Sequence, residues 1–515
     1  MNPPSVSLSP VDSLLILLYF AAVVFVGFRA SRKQQAQTED FLLAGRTLTL
    51  PMFVATLVST WYGGILGVGE FSYTFGISNW VVFGVPYYIF ALVFALLLAK
   101  RIRATNLFTI PDKLEAVYDR KTALLGGFLT FILVTPAAYV LMLGILVQLI
   151  FGLDLITSIL LTTFLTVVYL YSGGFRSDVW ANAFEFIMMF IGFAMILPFA
   201  FSKFGGYDFI SSNVPPLHLT WHGGNSWQFI AVWFFIALWT LVDPAFHQRC
   251  YAAKDGATAQ RGIFISILFW FCFDAMTSIA GLYARAALPG IEQPLFAYPL
   301  LAEVTLPSVA KGLFYIGMLA TIMSTLSSLM FISATTIGKD IVGRIAIHTK
   351  KVTPSESFTE GRGEEPFHPE QNALTHDTTV GLRMTESGIV NRWTKIGLLI
   401  SSAFAILLAL AVPSVVSIWY TIGTCIIPGL LIPVLAGYFE SLRISAPYAF
   451  AAMLLGWLTS TGSLIYGVLT RTGEVNNYWF GIEPMYPGLA VGICVWAFGR
   501  ARQGRNPTAP HPQLQ

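Results

Sequence analysis

The sequence predicts an all-α integral membrane protein with 13 transmembrane helices, and three observations carry that prediction. Hydrophobic residues make up 55% of the chain and charged residues 11%, where soluble domains are roughly one-quarter charged. The 30 basic and 27 acidic residues gather between nearly charge-free stretches of about 20 residues, the length a helix needs to cross the hydrocarbon core. The basic residues also fall on alternate connections between those stretches, as the positive-inside rule requires.

Taken in order, the apolar windows lie at 11–30, 51–76, 80–100, 122–150, 154–171, 178–202, 228–247, 262–286, 309–338, 394–413, 417–438, 446–469 and 483–499. Met1–Pro10 carries no basic residue and no small-x-small pattern follows the first window, so that window reads as a retained span and not as a cleavable signal. With the N-terminus outside, 26 of the 30 Lys and Arg residues fall on the cytoplasmic side, and Lys203, Arg285, Lys311 and Arg471 on the other. Shifting the span count by one anywhere destroys this split, so the expected topology is N-out and C-in.

The remaining segments are polar. Residues 1–340 and 393–500 read as the two parts of a membrane bundle, helices 1–9 and helices 10–13. Between them, 341–392 is rich in Gly, Pro, Ser and Glu and reads as a flexible cytoplasmic loop. The tail, 501–515, is Pro-rich and expected to be disordered. A net charge of +3 is too small to suggest nucleic-acid binding. Cys250, Cys272, Cys425 and Cys494 show no CxxC spacing, so neither a metal knuckle nor a disulfide framework is suggested. The seven histidines sit in loops or at span ends without a nucleophile or metal-spaced partners, which excludes most enzyme chemistry.

Within the spans, three places break the membrane rules. The second window holds Gly63, Gly64, Gly67 and Gly69 within seven residues, enough either to unwind a helix or to form a small-residue packing face. Trp61 and Tyr62 adjoin those glycines and are the aromatics expected to border a cavity. The seventh window ends at Asp243–Pro244, where proline removes a backbone hydrogen bond beside a carboxylate; an ordinary helix end would look the same. In the ninth window, hydroxyls at 321, 324, 325, 328, 335 and 336 put several neutral oxygens on one helical face. Such oxygens suit a hard monovalent cation, although hydroxyls in membrane helices also bond back to their own carbonyls. Asp274 and Glu70 are further intramembrane acids, with Arg285 or backbone groups as possible partners.

Several motifs now combine: FLLAGRTL (41–48), YSGGFR (171–176), DPAFHQRCYAAK (243–254), STLSS (324–328) followed by LysAsp at 339–340, and AsnArgTrp at 391–393. In this order, over about residues 11–470, the chain resembles the sodium:solute symporter family. The resemblance implies a LeuT-like 5+5 inverted repeat, spans 2–6 and 7–11, preceded by one extra helix and followed by two. The first helix of each half would be broken near the midplane. It also implies a Na⁺ site made of the Ser59, Tyr62 and Thr321 carbonyls and the Ser324 and Thr325 hydroxyls, and a substrate site drawing on Trp61, Gly63, Gly64, Leu66, Asp243 and Pro244.

Two positions depart from the family pattern. Where members often have a Thr-Asp pair followed by Gln, this chain has Ala181, Asn182 and Glu185; the missing acid bears on ion release, and Glu185, one turn on, is a candidate to compensate. Sugar-carrying relatives place polar residues where Leu66 and Pro244 stand, so a small polar organic solute, an amino acid or small carboxylate rather than a sugar, is expected. The function implied is Na⁺-coupled symport across a plasma or bacterial inner membrane, with the coupling ion and the solute as its partners. A proton-coupled symporter using Asp243 and a membrane solute sensor stand as alternatives. The sequence is silent on oligomeric state.

Overall fold

The computed structural model describes residues 6–32, 37–346, 371–412, 414–472 and 477–505. Eighteen helices build the part that positions the site. The first, α1 (Pro10–Ser31), starts at a reciprocal cap in which Ser9 and Asp12 satisfy each other's backbone N–H. It turns Leu14, Leu17, Leu18 and Phe25 outward, as a lipid-facing helix must. Next come α2 (Leu50–Trp61) and α3 (Ile65–Phe75), which meet at 59° across a break of three residues.

A π-turn at Trp80–Gly84 leads into α4 (Val85–Leu97); α5 (Ile110–Val117), α6 (Arg120–Leu133) and α7 (Ala137–Phe151) follow. The fifty residues of α8 (Leu155–Phe204) would measure about 75 Å if straight, more than twice the apolar thickness of a bilayer. Gly174 breaks it with φ 51° and ψ −141°, and a Cβ there would lie 2.6 Å from the Phe41 carbonyl oxygen, so only glycine fits this reversal.

The second half of the order runs α9 (Trp227–Ile236), α10 (Trp239–Val242), α11 (Pro244–Ala252), α12 (Gly256–Ala287), α13 (Ala297–Thr305) and α14 (Ala310–Thr335). The π-helical segment Thr336–Gly343 extends α14, and α15 (Gln371–Ala411), α16 (Val415–Tyr438), α17 (Ala446–Leu469) and α18 (Met485–Arg505) complete the bundle. Helix α14 is buried along almost its entire length and packs against α2, α7 and α8. Where α8 crosses it, backbone meets backbone: a Cβ on Gly192 would lie 2.6 Å from the Gly317 Cα.

Ten helices among the described residues are long and apolar enough to cross a membrane, and eleven if the bent α2–α3 pair is one span. The tally departs from the expected 13 at two places. Windows 154–171 and 178–202 are joined in the single helix α8, and α18, over window 483–499, carries Arg500 and Arg502, which lower its apolarity. The segment expected to be loop, 341–392, also differs: the Thr336–Gly343 helix runs into it and α15 begins at Gln371. An apolar window does not register a polar helical extension. Residues 347–370 of that segment, and 506–515 of the expected tail, lie outside the described residues.

Candidate functional site

The centre of the site is the end of α2. A helix leaves its last carbonyls without intrahelical donors, and here those carbonyls face α14. Ser324 Oγ donates to the Ser59 carbonyl at 2.9 Å, and Thr325 Oγ1 to the Thr60 carbonyl at 2.6 Å, with Ser59 O at 3.4 Å. Both hydroxyls also lie near the Thr321 carbonyl, at 3.1 and 3.4 Å. Glycine permits the approach, because a Cβ on Gly63 would stand 2.3 Å from Thr325 Oγ1. Gly63 and Gly64 do not take positive φ, so closeness and not conformation is their use here. Four of the five groups expected to hold Na⁺ are thus gathered: Ser59, Thr321, Ser324 and Thr325. Tyr62 spends its N–H on Ser59 O at 3.4 Å, and the two hydroxyls bond the carbonyls of Ser59, Thr60 and Thr321 rather than that of Tyr62.

One turn further along α14, a buried ionic cluster adjoins these oxygens. Ser327 Oγ donates to Asp178 Oδ1 at 2.7 Å and Ser328 Oγ to Asp178 Oδ2 at 2.8 Å. Arg249 Nη2 stands 3.4 Å from Asp178 Oδ2, 2.7 Å from Ser328 Oγ and 2.8 Å from Thr60 Oγ1. Asp178 and Arg249 are wholly buried. Asn182 Nδ2 joins through Ser328 Oγ at 2.8 Å and Thr60 Oγ1 at 3.3 Å. Thr60 therefore serves both constellations, its carbonyl toward Thr325 and its hydroxyl toward Arg249. Glu185 makes no hydrogen bond to this cluster and instead accepts from the Tyr19 hydroxyl at 3.3 Å.

Beside the break lies a cavity of about 140 Å³ lined by residues of α2–α4 and the π-turn before α4, α6–α7, α9–α12, α14 and α16. Its walls are chiefly aromatic: Trp61 meets Tyr87 edge-on at 5.1 Å, Phe83 meets Trp233 at 4.9 Å, and Tyr139 faces Trp419 at 6.0 Å. Two carboxylates reach it, Asp243 and Asp274. Asp243 sits between α10 and α11, where ψ of 117° ends one helix and the side chain caps the next: Oδ1 accepts from the Ala245 N–H at 2.6 Å and the Phe246 N–H at 3.4 Å. Asp274, on α12, accepts from the Tyr62 and Tyr88 hydroxyls and not from Arg285, which bonds the Pro289 carbonyl.

Of the residues expected at the substrate, Trp61, Gly64 and Asp243 line this cavity, together with Tyr62, Thr60 and Thr325. Gly63 touches Thr325 without lining it. Leu66 is buried away from it, and Pro244 lines a smaller space of about 20 Å³ with His247, Gln248 and Asp340. Beyond that space, Lys339 and Arg344 pair with Asp112, and Arg344 with Glu115. Thr109 Oγ1 donates to Asp340 at 2.7 Å. Burial alone would raise the Asp112 carboxyl, yet the Lys339 and Arg344 cations hold it below the usual carboxylate range. These contacts tie α5 to the end of α14 and close the bundle at that side.

Three functional groups escaped the sequence reading. Asp178 is one turn before Asn182 on the same helical face, so i, i+4 spacing was the available signal. Arg249, counted among the cytoplasmic-loop cations, is 0% exposed. Ser327 completes the hydroxyl row.

The chain is similar to several known proteins. The sodium:solute symporter family model matches residues 41–355. The high-affinity choline transporter 1 of Drosophila melanogaster is 27% identical over 262 residues, 48% of this chain and 41% of its own length. Its Caenorhabditis elegans counterpart is 29% identical over 217 residues, 38% of this chain and 36% of its own length; the chain thus matches less than half the length of these two relatives. A Staphylococcus aureus sodium/proline symporter is 23% identical over 368 residues, covering 67% of this chain and 71% of its own. Among solved structures, a Na⁺-coupled sialic acid symporter in a substrate-bound outward-open state superposes with a TM-score of 0.70 at 16% identity, over 98% of this chain and 100% of that one. This last likeness is one of fold.

Proposed function

Because the chain belongs to the sodium:solute symporter family, we propose that it is a secondary active transporter coupling a small polar organic solute to Na⁺ by alternating access. It is a multi-pass membrane protein of a transporter family and not an enzyme. One observation carries the coupling: the Ser324 and Thr325 hydroxyls of α14 meet the Ser59 and Thr60 carbonyls at the broken end of α2, next to the cavity. A cation taking the place of those hydrogen bonds, with each hydroxyl keeping its proton and turning a lone pair to the ion, would be held by both helices at once, and would favour whichever conformation keeps them together. In our assignment Ser59, Thr321, Ser324 and Thr325 hold the ion, with Thr60 or Tyr62 as the fifth oxygen; Trp61, Gly64 and Asp243 face the solute, and Gly63, Leu66 and Pro244 shape the backbone around it. Asn182 acts within the Asp178–Arg249 cluster, and Glu185 stands outside it.

The reversal at Gly174 supports counting α8 as two crossings, and with α18 the number becomes 13. Spans 2–6 and 7–11 form the inverted halves, the N-terminus lies outside, and the inner or plasma membrane houses the bundle. Residues 1–340 and 393–500 make up its two parts, joined through the cytoplasmic 341–392 segment and followed by the cytoplasmic tail, 501–515. The ion pairs of Lys339 and Arg344 then fall on the cytoplasmic side, where they close the inward path.

Uptake into proteoliposomes of a labelled panel of sugars, amino acids, carboxylates and amines, driven by an inward sodium gradient, tests this reading; uptake of every member unchanged by the gradient overturns it. A proton-coupled reading draws on Asp243, whose Oδ1 caps α11 and whose Oδ2 takes no hydrogen bond among the described residues. That reading requires transport driven by a pH gradient without sodium and abolished by Asp243→Asn.

A further inference from the structure

The relatives are named for choline, glucose and proline, so names alone do not choose between a cation, a sugar and a zwitterion. We propose that the solute is an organic cation with an alkylated ammonium group, enclosed by the aromatic walls of the cavity and neutralised by Asp243; this rests on the symport reading above.

The lining itself argues the class. Eight of the nineteen residues around the cavity are aromatic, among them Trp61, Tyr87, Tyr139, Trp233, Trp239 and Trp419, and none is Lys, Arg or His. A carboxylate or phosphate would enter without a side-chain countercharge. A sugar would bring many hydroxyls to a surface whose polar side chains, outside the tyrosines and the indole N–H groups, are Thr60, Thr325 and the two acids. The Thr325 hydroxyl is committed to backbone carbonyls and the Thr60 hydroxyl to Arg249, Ser328 and Asn182. Asp274 is committed to Tyr62 and Tyr88.

What remains is a negative charge and aromatic faces. Asp243 is 6% exposed; its Oδ1 caps α11, and Oδ2 has no hydrogen-bond partner among the described residues. A buried carboxylate oxygen left so is satisfied best by a cation. The faces of Trp and Tyr attract cations through their quadrupoles and need no hydrogen bonds to do so. A primary ammonium would bring three donors where one free carboxylate oxygen awaits them. An ammonium clothed in methyl groups brings none and fills the space with apolar surface, which suits these walls.

The test is equilibrium binding to the full-length detergent-purified protein in NaCl, read by quenching of tryptophan fluorescence. The probes are choline, its neutral isostere 3,3-dimethyl-1-butanol, and L-proline. We expect saturable quenching by choline, at least about tenfold weaker binding of the isostere, and no displacement of choline by proline. Asp243→Asn, which retains a good helix cap, should weaken choline binding at least about tenfold. Equal affinity for choline and its isostere overturns the proposal on wild-type protein alone, whatever the variant does. So does displacement of choline by proline at comparable concentration, or unchanged affinity in Asp243→Asn. If choline fails to bind while sodium still raises thermal stability, the cation class falls and the symport reading stands. If neither sodium nor choline has any effect, both fall together.

Discussion

Replacing Thr325 with alanine probes the ion site where its geometry is tightest. Thr325 Oγ1 lies 2.6 Å from the Thr60 carbonyl and 3.4 Å from those of Ser59 and Thr321, and the residue is 2% exposed. Alanine keeps α14 intact, being the best helix former, and removes one of five oxygens from the ion. A hydrogen bond to a charged group contributes about 1.5–3 kcal/mol, and a ligand loss of that size weakens Na⁺ affinity roughly 10- to 100-fold. An ion that binds only the folded state stabilises it by RT ln(1 + [L]/Kd). Sodium at about 100 times the wild-type Kd therefore adds about 2.7 kcal/mol to the wild type, and only about 0.4–1.4 kcal/mol to the variant. Thermal unfolding of purified protein in matched NaCl and KCl reads the difference; KCl is the right reference because an organic cation salt would compete for the cavity. In KCl the variant should already be about 1 kcal/mol less stable, since the Thr60 carbonyl loses its donor. An equal sodium shift in both proteins would refute the assignment of this hydroxyl, and no shift in the wild type up to molar salt would remove the ion site altogether.

Gly63→Ala should abolish the sodium shift at least as completely, because the new Cβ would sit 2.3 Å from Thr325 Oγ1 and 2.6 Å from Tyr139 Cε1; the same salt comparison measures it, and a wild-type response sinks the close-approach argument. Arg249→Leu should cost about 3–5 kcal/mol by leaving the Asp178 charge buried and unpaired, and adding Asp178→Asn should restore most of it. Denaturant unfolding that finds the single variant as stable as wild type would contradict this. At Lys113, on α5, burial and then the nearby Arg443 charge hold the ammonium down at about 8 against an ordinary 10.5. Between those values the unfolded chain binds more protons than the folded one, so this group makes stability rise with pH across that window. Lys113→Met should flatten the rise, and parallel stability profiles from pH 8 to 10 would count against the assignment.

The membrane spans were legible because the signal is local: twenty apolar residues declare themselves wherever they occur. The Ser324–Thr325 pair was legible for the same reason, adjacent hydroxyls on one helical face. Which carbonyls they meet was less so, since a run of glycines marks a break without saying at which residue the helix stops, and a stop at Trp61 brings forward Thr60 rather than Tyr62. The acid beside the hydroxyl row depends on partners far apart in the chain. Motif position pointed to Asn182, whereas the contacts of Arg249, 71 residues beyond Asp178, select Asp178. The aromatic enclosure was hidden by abundance, because in a chain with 15% aromatic residues no single aromatic stands out until helices distant in sequence bring eight of them around one space. Leu66 shows the converse: sequence places it beside the glycines, and helix rotation turns it into the core.

The backbone contact between Gly192 and Gly317 has a mechanical meaning. Two helices that touch without an intervening layer of side chains have nothing to repack, so α8 and α14 cannot slide past one another by exchanging rotamers. They behave as one beam. Rocking of the bundle would then be taken up where α2 leans on that beam through hydroxyls and carbonyls, contacts that open by a small separation as each hydroxyl turns its hydrogen away and presents a lone pair. On the symport reading, the oxygens assigned to sodium lie on the shear plane itself: the stiff joint at the glycines would determine where the molecule can yield, and the ion would determine when.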